Sequence, residues 1–234
     1  MKRIFVPTVS GSDWQKLLAE PVLHWKPGKS AMSAAVCWEA AKDRLPAEIE
    51  AFLESSDEAA LHSLKLLLAI PEWEVPLPGG ETSSHTDVLA VARNNDGLVV
   101  VAVEAKVDEE FGPTLGEKRR GASAGQLARL DYLHSVLSLP SPLPDALRYQ
   151  LLHRTASAVL IARDFHAATA VMLVQSFSPE DRWRDDFQAF ASALGAPQET
   201  GEPLRIPGHS HPSLFLAWCK GDLRHRDVDL RAAV

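Results

Sequence analysis

Two acids and an amine, Asp87, Glu104 and Lys106, fall within residues 86–106, TDVLAVARNNDGLVVVAVEAK. Carboxylate oxygens hold hard divalent cations, and an ammonium beside them stabilises negative charge or positions a water. The same three groups also make an ordinary structural ion pair, because charges leave water only when paired or metal-bound. Both readings require that the three meet in the fold. The segment predicts a β-hairpin: two apolar runs flank Asn94-Asn95-Asp96-Gly97, residue types that accept the positive φ of tight turns. A four-residue loop pairs Arg93 with Leu98 and sets Asp87 opposite Glu104. A two-residue Asp96-Gly97 loop pairs Asn95 with Leu98 and sets Asp87 opposite Lys106. Side chains alternate along a strand, so in either register Asp87, Glu104 and Lys106 share one face. The other face carries Val88, Ala90, Ala92, Val99, Val101, Val103 and Ala105, which have no charge among them and so rest on core.

An acid on one strand followed by Glu-X-Lys near the end of the next resembles the signature of the PD-(D/E)XK phosphodiesterase superfamily of restriction-endonuclease-like nucleases. Thr86-Asp87 stands where the family has Pro-Asp, and Glu104-Ala105-Lys106 supplies the second half. The resemblance implies that Asp87, Glu104 and the backbone carbonyl of Ala105 bind Mg²⁺ or Mn²⁺, with Lys106 near the attacking water. It also implies a glutamate from the first core helix, for which Glu39 is the match. Exonuclease-like branches add a glutamine and a nearby tyrosine on the helix after the hairpin, which Gln126 and Tyr132 match in kind.

These residues need elements to place them. Residues 30–42, SAMSAAVCWEAAK, predict a helix with Ser30 as N-cap, and Glu39 lies on a face of small residues that permits close approach. Residues 46–53 and 57–69 predict two more helices, the second with a leucine stripe ended by Ile70-Pro71. Residues 72–77 predict the first strand, turned by Pro78-Gly79-Gly80. After the hairpin, a loop over residues 108–123 carries Lys118-Arg119-Arg120, which could clamp phosphates. Residues 124–137 predict a helix whose stripe of Leu130, Leu133 and Leu137 begins at Gln126, one turn earlier. The Pro-rich residues 138–144 form a connector. A long helix to about residue 164, a buried strand over 170–177, a helix over 179–194, a loop and a last strand over 213–219 follow. At the N-terminus, Phe5-Val6-Pro7 suggests a short strand, and Trp14 and Trp25 suggest cover for a core edge.

The fold class that follows is α/β: a restriction-endonuclease-like mixed central sheet flanked by helices. Its αβββαβ core spans residues 31–177 with an inserted helical pair near the N-terminus, and residues 178–234 add a helix and a strand to the same single domain. A chain of 234 residues, 46% hydrophobic, can bury a sizeable core. No apolar run has transmembrane length and the start lacks a secretory h-region, so a cytoplasmic protein is expected. Cys37 and Cys219 lack metal spacing and read as reduced core thiols. His209 and His211 have no third ligand at suitable spacing.

The function expected is metal-dependent hydrolysis of nucleic-acid phosphodiesters, DNA ahead of RNA, with Lys118, Arg119 and Arg120 on the backbone and a homodimer as the assembly to test. Charge balance pulls the other way: 24 Lys and Arg face 31 acids, net −7, where duplex binders present a basic face. The alternative keeps the fold as a binding or scaffold protein, with the charged cluster serving structure.

Overall fold

The computed structural model describes residues 8, 10–139, 143–197 and 201–231. The chain runs through a 3₁₀ segment (Gly11–Leu17), α1 (Pro21–His24), α2 (Ser30–Ala41), α3 (Ala47–Glu54) and a 3₁₀ turn (Ala59–Leu61). There follow β1 (Lys65–Val75), β2 (Ser84–Asn94), β3 (Gly97–Lys106), α4 (Leu115–Arg119), α5 (Ala124–Val136) and α6 (Tyr149–Asp164). Then come β4 (Thr169–Ser176), α7 (Arg184–Ala193), β5 (Leu204–Ser210), β6 (Ser213–Lys220) and a 3₁₀ turn (Leu223–His225).

The strands form one mixed sheet in the order β1-β2-β3-β4-β6-β5. An antiparallel β1-β2-β3 meander leads through helices to β4, which is parallel to β3, and β6 adds in parallel to β4. β3 and β4 are buried on both faces, as their runs of Val, Ala, Leu and Met require of strands inside a parallel arrangement. One face packs Leu89, Val91, Val100, Ala102 and Met172 against α5, α6 and α7. The other packs Val88, Ala90, Val101, Val103 and Leu173 under α2, α3 and the N-terminal segment, where Trp14 and Trp25 are buried as expected.

The hairpin takes the Arg93↔Leu98 register, the one that sets Asp87 level with Glu104, but its turn is tighter than four residues, because Asn94 pairs with Gly97. Asn94 Oδ1 accepts from the Asp96 N–H and stabilises that turn.

Residues 57–69 do not form the expected helix. Most of the leucine run is β1, which starts at Lys65 and pairs along β2 from Lys65↔Arg93 to Val75↔Ser84. A run such as KLLLAI fits either period, and the ladder to β2 decides for strand. Pro71 does not stop it, because β1 is an edge strand and a missing N–H there can face away from the ladder. The same tolerance explains β5, expected as loop: it lies on the opposite edge, with its ladder to β6 interrupted around Pro207 and Gly208. Ser30 is not the N-cap of α2. Its own N–H is the one capped, by Glu109 Oε1 at 3.1 Å, so the loop after β3 closes this helix end. Phe5-Val6-Pro7 and residues 140–142 of the Pro-rich connector lie outside the described residues. α5 and α6, on either side of that connector, pack into the same core. Among the described residues no helix is long and apolar enough to cross a membrane.

Candidate functional site

The β2–β3 ladder ends at Val88↔Val103, and beyond it β2 peels away from β3. The next N–H on that side of β3, from Ala105, donates instead to Asp87 Oδ2 at 2.8 Å. A side-chain carboxylate thus takes the place of a strand carbonyl. Residues along a strand present N–H and C=O to the same side, so the Ala105 carbonyl also turns to this split, while the Lys106 carbonyl turns the other way and accepts from Phe177 at 2.7 Å.

A third acid meets them that the sequence reading did not single out. Pro71 pairs with Val88 and Trp73 with Thr86, which puts Glu72 level with Asp87. Glu72 has φ 51°, in the left-handed region that non-glycine residues rarely adopt, and such strain clusters at functional sites. Glu72, Asp87 and Glu104 therefore stand side by side on three neighbouring strands. The signal in the sequence was available only through the β1 register, which the expected helix over residues 57–69 concealed.

The cations come from β3 and α6. Glu104 Oε1 accepts from Gln150 Nε2 at 2.7 Å and pairs with Lys106 Nζ at 3.0 Å, and Oε2 accepts from Arg154 Nε at 2.5 Å. All three charged side chains are buried: Glu104 is 3% exposed, Lys106 6% and Arg154 11%. Burial opposes ionisation of Glu104, but Arg154 and Lys106 together outweigh it and hold the carboxyl below its usual range. Arg154 favours the charged forms of Glu72 and Asp87 as well, and Lys106 that of Asp87, but here they do not outweigh burial and the neighbouring acids. Burial, then the charge of Asp87, pushes Glu72 up to about 8, and burial, then the charge of Glu104, pushes Asp87 up to about 7.

His153 and Ser84 brace this cluster. Ser84 Oγ accepts from Arg154 Nη1 at 3.0 Å and lies 2.9 Å from His153 Nδ1 and 3.0 Å from Ser157 Oγ, which also donates to the His153 carbonyl at 2.8 Å, so these side chains form one hydrogen-bonded chain. Burial, then Arg154, holds His153 well below its usual range, and it stays neutral.

The acids open on a cavity of about 520 Å³, with Glu72, Asp87, Glu104 and Lys106 on its floor and Gln150 and Arg154 on one wall. Ser30 and Ala31 of α2 and the loop Glu109–Pro113 complete it. A second cavity of about 250 Å³ adjoins it, sharing Lys118, Tyr149 and His153 and adding Arg129, Gln126 and the Gly79-Gly80 turn. Gly79 has φ 78° and lies so close to the Gly125 backbone that a Cβ would meet its carbonyl oxygen at 2.0 Å, so only glycine fits that wall.

Of the residues expected from sequence, Asp87, Glu104, Ala105 and Lys106 converge. Glu39 does not join them. Its Oε1 accepts from Thr8 Oγ1 at 2.5 Å and Trp14 Nε1 at 2.8 Å, pinning the N-terminal segment to α2, because Glu39 sits more than two turns from the end of α2 that borders the cavity. Gln126 is exposed and spends its Oε1 on the Ser123 N–H in the capping box of α5. Tyr132 packs on the core. The amide beside the acids is Gln150, with Tyr149 next to it, because α6 rather than α5 lies over β3 and β4. Gln150, Arg154 and Ser157 recur at i, i+4 and i+7 on one stripe, the signal that could have found them.

The basic run separates. Lys118 reaches the cavity, with Nζ 5.0 Å from the Tyr149 ring centroid. Arg119 is tied to Asp145 and donates to the Leu143 carbonyl at 2.9 Å, so it braces the fold instead of facing substrate. Arg120 is exposed at the end of α4. His209 bonds the Leu137 carbonyl at 2.9 Å. Among the described residues, the one set of three acid, thiol or imidazole side chains already drawn within 4.8 Å of one another lies elsewhere, at Cys37, Glu48 and His225.

A family model described as a domain of unknown function, DUF6946, matches residues 7–223. No curated protein and no solved structure matches the chain.

Proposed function

The chain belongs to the DUF6946 family, and from its site we propose a metal-dependent phosphodiesterase acting on nucleic acid, built on a restriction-endonuclease-like arrangement. The observation that carries this reading is the row Glu72, Asp87 and Glu104 across three adjacent strands, beside Lys106 and open to a cavity. The element order supports it too: a helix, an antiparallel meander, a helix and a strand parallel to the third.

The donors fit a hard divalent cation such as Mg²⁺ or Mn²⁺. Three carboxylates face two cations, Lys106 and Arg154, and Glu72 and Asp87 are raised first by burial and then by a neighbouring acid, both of which a bound cation would offset. Asp87, Glu104, the Ala105 carbonyl and Glu72 would hold the ion, which would supply Lewis-acid charge at the scissile phosphate. The protein's own groups do the rest. Lys106 places an ammonium where negative charge grows, and Lys118 with Arg129, along the two adjoining cavities, neutralises flanking phosphates. The cavity lining itself holds five acids, Glu72, Asp87, Glu104, Glu109 and Glu110, beside Lys106, Lys118 and Arg154, so on this reading a bound cation is what would make the cleft receptive to a phosphate.

A second reading rests on one specific contact set: both Glu104 oxygens are engaged by Arg154, Lys106 and Gln150, as in a structural ion cluster. This favours a binding or scaffold protein on the same fold. Purified protein incubated with single- and double-stranded DNA and RNA in Mg²⁺ or Mn²⁺ decides between them. Metal-dependent cleavage that is lost in Lys106→Ala and Asp87→Asn is expected. Equal cleavage by all three proteins would expose a contaminant. No cleavage, together with a melting temperature indifferent to either metal, would end the nuclease reading, since an ion at a hundred times its Kd stabilises by about 2.7 kcal/mol.

A further inference from the structure

On the sheet face opposite the acid row, the ends of α2, α3, β4, β6 and the last 3₁₀ turn bring together a thiol, a carboxylate and an imidazole. Cys37 Sγ lies 3.1 Å from Glu48 Oε1, and one donor atom each from Cys37, Glu48 and His225 falls within 4.8 Å of the others. His225 Nδ1 is sealed from solvent and, among the described residues, has no hydrogen-bond partner. A buried, unsatisfied ring nitrogen is costly, and a protein retains one where something else accepts or donates to it. Gln175, level with Cys219 on the neighbouring strand, donates Nε2 to Cys37 Sγ and to Glu48 Oε1, each at 3.2 Å, and is itself held by Trp38 Nε1 at 3.1 Å. This is a supported donor set, with an outer group orienting two of its three members.

We propose that Cys37, Glu48 and His225 form a binding site for a zinc-type divalent transition metal, distinct from the acid row. Sulfur, nitrogen and oxygen donors together suit Zn²⁺ and disfavour Mg²⁺, which takes oxygen alone. One thiolate and one carboxylate neutralise the two positive charges, and neutral His225 completes three ligands, so the partly buried site carries no net charge. On binding, the Cys37 S–H bond breaks, the sulfur–metal bond forms and the proton leaves to solvent. Without a metal, burial and then Glu48 raise the Cys37 thiol far above its usual range, and Cys219 is pushed up to about 12, so neither is reactive as a free thiol. Cys219, whose Sγ lies 3.5 Å from the Glu48 carbonyl, stands outside the three.

The test is titration of the full chain, stripped with chelator, with Co²⁺ as a spectroscopic stand-in for zinc, followed by competition with Zn²⁺. The expected result is a near-ultraviolet sulfur-to-metal band of one-thiolate intensity that saturates at one equivalent for this site and that Zn²⁺ abolishes, whereas Co²⁺ on the oxygen donors of the acid row adds no such band. Cys37→Ser should remove the band and His225→Gln, on a partly exposed turn, should weaken binding while circular dichroism stays that of the parent protein. Gln175→Ala should weaken it by roughly 10–100-fold. Cys219→Ser and Asp87→Asn should leave it intact, which separates this site from the acid row. Absence of any sulfur band in the folded parent protein, or a band that survives Cys37→Ser and is lost in Cys219→Ser, overturns the proposal.

Discussion

Arg154 joins the acid row to the helix above it. Its guanidinium is nearly buried, bonds Glu104 and Ser84, and is held charged by Glu104 and Asp87 against the pull of burial. Removing one member of a buried pair strands the other, at a cost of about 3–5 kcal/mol. Arg154→Met is therefore expected to lower the urea midpoint by that equivalent, and adding Glu104→Gln should recover much of the loss. The two raised acids make a second prediction. Glu72 and Asp87 have ordinary values of 4.5 and 3.8 and folded values of about 8 and 7. Between those limits the folded protein keeps protons that the unfolded chain has shed. Their contribution to stability is thus full below about pH 4 and lost as pH rises through about 8. Neutral His153 acts with the opposite sign below its usual 6.5, because there the unfolded chain takes up a proton that the folded one resists. The difference between parent and Asp87→Asn melting temperatures isolates Asp87: the parent should lose ground to the variant from about pH 4 to about 7 and the difference should level off above that. A constant difference across that window would mean that the Asp87 carboxyl is not raised.

At the scale of elements, α5 and α6 exchange the roles that sequence assigned them. α5 carries Gln126 as the N3 member of its capping box, with Ser123 accepting from the Gln126 N–H at 3.2 Å. α6 carries the polar stripe that lies over the charged strand ends. Gln126→Ala should therefore cost no more than about 1 kcal/mol and leave any response to Mg²⁺ or Mn²⁺ unchanged. Gln150→Ala, which frees Glu104 Oε1 and Lys106, should change the metal-dependent shift in melting temperature. A larger effect from the first substitution than from the second would restore the residue that the motif favoured. β1 and β5 teach a related point: an edge strand keeps a Pro or Gly that a central strand would reject, so those residues stop an expected element only in the middle of a sheet.

Over the whole molecule, stability rests on two apolar layers sandwiching β3 and β4, and the charged acid row lies at the ends of β2 and β3 beside them. Leu173 is fully buried in the layer away from α6. Leu173→Ala should cost about 2–5 kcal/mol in denaturant unfolding, with the sulfur and acid sites weakened only through the fold. The net charge of −7 is a property of the same scale: it bears on solubility, while the local potential at the cavities is set by Lys106, Lys118, Arg129 and Arg154 against the acids that line them.

The β2–β3 hairpin, its apolar underside, and the meeting of Asp87, Glu104 and Lys106 were legible in the sequence, because strand alternation fixes faces over short distances and either turn gives the same answer. The helices α2 and α3, the strands β4 and β6 and the mixed α/β class followed from local period and composition. What only the tertiary structure decided were contacts between segments far apart in the chain. Glu72 joined the row through the β1 register, Gln150 and Arg154 through the packing of α6, and Cys37, Glu48 and His225 through three elements that no sequence spacing connects. Glu39 and Arg119 left the site for the same reason: a charged side chain goes to whichever partner the fold places within reach, and that distance is set by packing, not by position along the chain.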